Sequence, residues 1–195
     1  MRIGLLGGSF NPAHYGHLKV AQQALRSLRL DQVWLMVSPG NPLKPRKGMG
    51  SFRARLASAR KIADGRRICA TDIEARLKQR FTVKTVALLQ KRFPHVQFVW
   101  LMGADGLAQF SRWKNWRMLA RMVPIAILPR PGSGTPALHG AAASALRRNR
   151  RPSREAAILA QRKGCAWTFL SAPQNDISAT ALRESGRVCL DSDQE

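Results

Sequence analysis

Eleven residues near the start of the chain, Gly7-Gly8-Ser9-Phe10-Asn11-Pro12-Ala13-His14-Tyr15-Gly16-His17, combine the residue types that anion chemistry needs. Glycines placed directly after an apolar run let a ligand approach the backbone closely. A helix that follows such a turn presents unsatisfied N–H groups and the positive end of its dipole. His14 and His17 are three apart, so both fall on one face of the first helical turn. Two imidazoles there suit an anion such as a triphosphate, and Gly16 leaves room for a nucleotide against the helix. A lone histidine at a helix start would more simply be a cap. Two at this spacing, behind a glycine turn and a fixed proline, favour a binding role.

The elements that must carry these residues alternate in type. Residues 2–6, 33–37, 68–71, 96–102, 125–128 and 166–170 are short apolar runs of strand length. Helical periodicity falls over 14–29, 51–63, 82–92, 113–122 and 153–163, and Ile177–Arg183 reads as one more helix start. Residues 38–50 hold three prolines and three glycines and form a long loop. This alternation predicts an α/β protein, a doubly wound, Rossmann-like parallel sheet covered on both faces. In such sheets ligands bind beyond the carboxyl ends of the strands. The unusual residues lie there: Gly7–His17, Asn41–Lys44, Gly103–Asp105, Arg130–Gly132 and Ile177–Arg183. A single domain over 1–195 is expected, with the Arg-rich segment 133–152 as a mobile insertion containing a helix and residues 188–195 as a frayed acidic tail.

Composition narrows the class. A chain of 195 residues can bury about 70% of its unfolded surface, enough for a sizeable core. No apolar run reaches the ~18 residues of a membrane span. The N-terminus lacks the pattern of a secretory signal. The three cysteines, Cys69, Cys165 and Cys189, show no metal-ligand spacing and no disulfide framework, which points to a cytoplasmic protein. The net charge of +22 is compatible with phosphate-bearing partners of any size. Aromatic residues do not interleave with the basic runs as base-stacking platforms would, so the arginines at 147–151 read as a solvated face and nucleic acid is not the expected partner.

The pattern G-x-F-x-P-x-H-x-G-H at 8–17 resembles the signature of the HxGH nucleotidyltransferases, and Ile177-Ser178-Ala179-Thr180-Ala181-Leu182-Arg183 resembles their second motif, ISxTxxR. Further stretches resemble the bacterial nicotinate-nucleotide adenylyltransferases within that superfamily. These are Asp72-Ile73-Glu74, Phe81-Thr82-Val83-Lys84-Thr85, Gly103-Ala104-Asp105, Trp113 and Arg130-Pro131-Gly132. The resemblance covers nearly the whole chain. It implies transfer of the adenylyl group of ATP to nicotinate mononucleotide, giving deamido-NAD and pyrophosphate.

On that resemblance, His14, His17 and Arg183 are the catalytic residues. Gly7, Gly8, Ser9, Phe10, Gly103, Asp105, Arg130, Ile177, Ser178 and Thr180 complete the ATP site. Asn41, Lys44, Phe81, Thr82, Asp105, Trp113 and Lys114 form the acceptor site. Trp113 would stack on the pyridine ring, where composition alone would make it a core residue. Mg²⁺ would travel with ATP, because no carboxylate cage for it is visible. Two departures stand out: Leu43 occupies a position usually held by His, and Phe81 replaces a Tyr. Two other readings remain open. One is an adenylyltransferase for nicotinamide mononucleotide or phosphopantetheine; the other is a basic nucleic-acid-binding protein that has lost catalysis.

Overall fold

The computed structural model describes residues 1–40, 48–129, 137–162 and 164–170. Seven strands form one sheet: β1 (Arg2–Gly8), β2 (Gln32–Val37), β3 (Ile68–Thr71), β4 (Gln97–Gly103), β5 (Ile125–Leu128), β6 (Arg150–Arg151) and β7 (Trp167–Phe169). Their order is β3-β2-β1-β4-β5-β7-β6, and every pairing is parallel. Strand succession reverses between β1 and β4, so the two strands that diverge there open a crevice at their carboxyl ends. Gly7-Gly8 ends β1 and Gly103 ends β4 at that point.

The helices are α1 (Tyr15–Ser27), α2 (Phe52–Ile62), α3 (Ile73–Arg76), α4 (Thr82–Arg92), α5 (Ala104–Phe110), α6 (Trp116–Met122) and α7 (Ala141–Ala145). The period of two along each strand sorts the core into two layers. Ile3, Leu5, Trp100, Met102 and Ile127 face α4, α5, α6 and α7. Leu6, Leu35, Val99, Leu101 and Ala126 face α1, α2 and the turn of 3₁₀ helix at Ser153–Gln161. Strands buried on both sides explain why these runs are uniformly apolar rather than alternating.

The structure corrects several expectations. Residues 153–161 wind as 3₁₀ rather than α-helix. Ala156 and Leu159 are buried three apart, a spacing that fits either winding. The helix expected from Trp113 begins only at Trp116, because Asn115 takes a left-handed φ of 54°. Two short helices, α3 and α5, were not foreseen. Much of the segment expected to be a mobile insertion is built into the fold: β6 pairs with β7, and the Trp167 indole N–H donates to the Leu146 carbonyl at 2.8 Å. The cysteines Cys69 and Cys165 are half-buried free thiols.

Candidate active site

The turn after β1 is held in an uncommon shape. Phe10 has φ 48°, the left-handed region that costs a non-glycine residue free energy. The Asn11–Pro12 bond is cis. His14 follows as the N-cap of α1, and the two histidines cap the helix together. The Gly16 N–H donates to His14 Nδ1 at 3.1 Å, and the His14 N–H donates to His17 Nδ1 at 3.2 Å. A ring that accepts through Nδ1 carries its proton on Nε2. The local hydrogen bonds therefore fix both tautomers, and the outer nitrogens are donors suited to phosphate oxygens. The two rings sit 4.0 Å apart, with the Phe10 ring 4.9 Å from His17. Phe10 is 2% exposed, so only its backbone can meet a nucleotide; its side chain instead backs the histidine.

A cavity of about 340 Å³ opens beside this turn. Gly7 and Gly8 form one wall, and Trp100, Trp113, Phe81 and Thr82 form much of the remainder. Gly7 is required there: a Cβ would lie 2.6 Å from the Trp100 ring. Trp113 is half-buried, edge-on to Trp100 at 5.9 Å and to Phe110 at 5.5 Å. It is thus both a core contact and a cavity wall. Phe81 is the N-cap of α4 and supplies no side-chain cap. The Lys84 N–H donates to the Phe81 carbonyl at 3.0 Å, and the earlier N–H groups, of Thr82 and Val83, are the ones that can serve an anion. Lys114, Arg80 and Arg112 add cationic side chains to the lining. Such a pocket suits a flat aromatic ring carrying a carboxylate and a phosphate.

Gly103 is the N-cap of α5 and Asp105 lies in its first turn, where a carboxylate complements the helix dipole. Asn41, Lys44, Arg130, Ile177, Ser178, Thr180 and Arg183 lie outside the described residues.

Several residues of the site escaped sequence reasoning. Glu74 lines the cavity, 7% exposed, and accepts from Thr85 Oγ1 at 3.3 Å. Burial pushes its carboxyl up to about 7, against a smaller lowering by that hydrogen bond. Trp100, within the apolar run of β4, also lines the cavity, and its buried indole N–H has no partner among the described residues. Ser9 Oγ is likewise buried without one. Arg55 is 4% exposed on the apolar face of α2, between Phe52 and Ala59. A charged residue at a buried helical position was the available signal.

A family model described as cytidylyltransferase-like matches residues 5–185. A probable nicotinate-nucleotide adenylyltransferase of Gluconobacter oxydans is 80% identical over the full length of both chains. The chain belongs to the nicotinate-nucleotide adenylyltransferase family. A further member, from Parvibaculum lavamentivorans, is 53% identical over 95% of this chain and 92% of its own. Among solved structures, the nicotinic acid mononucleotide adenylyltransferase of Plasmodium falciparum, complexed with NaAD, superposes with a TM-score of 0.70. It covers 94% of this chain and 82% of its own at 16% identity, a likeness that speaks to the fold. Membership in this family accounts for an α/β sheet with its crevice at the β1–β4 switch point.

Proposed function

We propose that the chain catalyses transfer of the adenylyl group of ATP to nicotinate mononucleotide, releasing pyrophosphate and forming deamido-NAD, a step of NAD biosynthesis. The observation that carries this reading is the adjacency of two subsites at one switch point. A doubly capped histidine turn suits phosphates, and an aromatic cavity with an uncapped helix start suits an anionic ring. The family relatives support the same reaction.

The acceptor phosphate is ionised at neutral pH, so no general base is needed. One of its oxygens attacks the α-phosphorus of ATP, the bond from that phosphorus to the β-bridging oxygen breaks, and pyrophosphate leaves. Catalysis consists of positioning and stabilisation of negative charge. His14 and His17 donate through Nε2 to phosphate oxygens. Gly7, Gly8, Ser9 and Phe10 offer backbone to the nucleotide, and Gly103 and Asp105 flank it. The family motifs assign the β- and γ-phosphates to Ser178, Thr180, Ile177 and Arg183, and a nucleotide contact to Arg130. Trp113 stacks on the pyridine ring, Thr82 and Lys114 receive its carboxylate, Phe81 walls the ring, and Asn41 and Lys44 meet the acceptor phosphate. Among the described residues no group of three His, Cys, Asp or Glu side chains could hold a metal ion. Mg²⁺ would be brought by the triphosphate and would neutralise charge on the phosphate oxygens. The whole chain acts as one nucleotidyltransferase domain. No described helix is long and apolar enough to cross a membrane.

Pyrophosphate release from ATP–Mg²⁺ with each acceptor tests this. Nicotinate mononucleotide is expected to give a kcat/KM at least about tenfold above nicotinamide mononucleotide, with phosphopantetheine inert. Equal or faster turnover of the amide overturns the acid assignment.

A further inference from the structure

We infer that Arg55 is a positioning residue for adenylyl transfer, clamping the phosphate-binding turn and the rim of the acceptor cavity to one helix. The inference rests on the reaction proposed above. The Arg55 guanidinium reaches three separate segments. Its Nη1 donates to the Ser9 carbonyl at 2.7 Å and to the Ser38 carbonyl at 2.8 Å; its Nε donates to the Gly50 carbonyl at 3.1 Å. Ser9 belongs to the turn that carries the histidines, and Ser38 lines the acceptor cavity.

Neighbouring contacts of α2 reinforce the clamp. The Ala13 N–H donates to Ser58 Oγ at 3.0 Å. Asn11 bridges Gly50 N–H and the Gly48 carbonyl, each at 2.9 Å. Phe10, at φ 48°, sits in the middle of this web. A non-glycine residue keeps such a conformation only where its surroundings over-determine it. Its ring then sets the position of His17. A path of direct contacts thus runs from Arg55 through the Ser9 carbonyl and Phe10 to His17, and a second runs from Arg55 to the cavity rim.

Folding alone gives little reason to bury this group. Among the described residues no carboxylate pairs with it, and an unpaired buried cation is costly. An apolar side chain of similar volume would often stabilise a core better. What an apolar chain cannot do is hold three carbonyls in a fixed relation.

The test compares wild type, Arg55→Met and Arg55→Lys, with Arg60→Ala on the exposed face of α2 as control. Arg55→Met is expected to lower kcat about 30-fold or more and to raise KM for both substrates, since a misplacement of about 1 Å can cost 10²-fold. Arg55→Lys keeps the charge but cannot span three carbonyls, so it falls between. Millimolar guanidinium ion is expected to restore part of the Arg55→Met activity and to leave wild type unchanged. Where Arg55→Met does not fold, Arg55→Lys decides. Wild-type kcat and both KM values in Arg55→Lys overturn the inference, as does a loss confined to one substrate. Amide hydrogen exchange of residues 8–17 is read in the same proteins without substrate: faster exchange in Arg55→Lys supports the clamp, and unchanged protection overturns it. Turnover of the wild type, measured alongside, tests the reaction itself separately.

Discussion

At the scale of the residue, the site is a set of donors whose orientation is fixed before any ligand arrives. The Nδ1 atoms of His14 and His17 are engaged by backbone N–H groups, so their outer nitrogens present protons. His17→Ala is expected to lower kcat by about 10²–10³-fold in a protein that still folds, by analogy with the loss of one charge-stabilising donor, and to lose about 1 kcal/mol of stability with the cap it supplies to α1. Wild-type-like turnover would refute the role. Trp113→Ala is expected to raise KM for the acceptor about tenfold while leaving KM for ATP alone. Glu74 makes a prediction about pH. Its folded carboxyl titrates at about 7, against an ordinary 4.5. Between those values the folded protein binds more protons than the unfolded chain, so stability falls as pH rises, by about 3 kcal/mol in all, and then levels off. Glu74→Gln keeps the shape and the Thr85 contact but cannot ionise. Urea midpoints from pH 4.5 to 8 should slope down in wild type through this group and lose that component in the variant.

At the scale of the element, the strand ends do the positioning. β1 and β4 diverge at the switch point, and Gly7 lets the chain pass against the Trp100 ring. Gly7→Ala forces a fully buried ring to move, because its new Cβ would stand 2.6 Å away. The expected cost is about 1–3 kcal/mol of stability, together with a raised KM for the acceptor, since Trp100 also walls the cavity. Denaturant midpoints and steady-state kinetics check both parts. Six of the seven strands were legible because two-sided burial writes an unbroken apolar run; β6, a pair of exposed arginines, carries no such run. The short helices α3 and α5 were not: each spans only four to seven residues directly after a strand, too few for a helical period to show. At 113–116 the residues fit a helix, and only the left-handed turn at Asn115 delays it.

At the scale of the whole molecule, the charge is distributed and mostly unrelated to the site. Arg147, Arg148, Arg151 and Arg154 are exposed along the β6 edge of the sheet. Arg150 differs, with its guanidinium 5.5 Å over the Trp167 ring. Replacing the four exposed arginines with alanine is expected to leave kcat/KM within about twofold, as for surface changes remote from a site. The same variant should lose much of any binding to random duplex DNA, which in wild type should weaken steeply between about 50 and 200 mM salt. A fall in turnover would tie that edge to the reaction after all.

The sequence by itself indicated the fold class, most of the alternation of strands and helices, and a glycine turn that brings two histidines to one helix start. Each of these is written in local spacing. His14 and His17 need only a helical period to meet, and the glycines need only to follow a strand. Tertiary structure alone decided what Arg55, Glu74 and Trp100 do. Arg55 meets a carbonyl 46 residues away and another 17 away. Glu74 owes its raised proton affinity to burial by elements from elsewhere in the chain. Trp113 could be read as core or as stacking surface; it packs edge-on against Trp100 and Phe110 and also lines the cavity. Periodicity reports which side of an element is buried. It does not report what the buried side will touch, because contact partners are set by how distant elements pack.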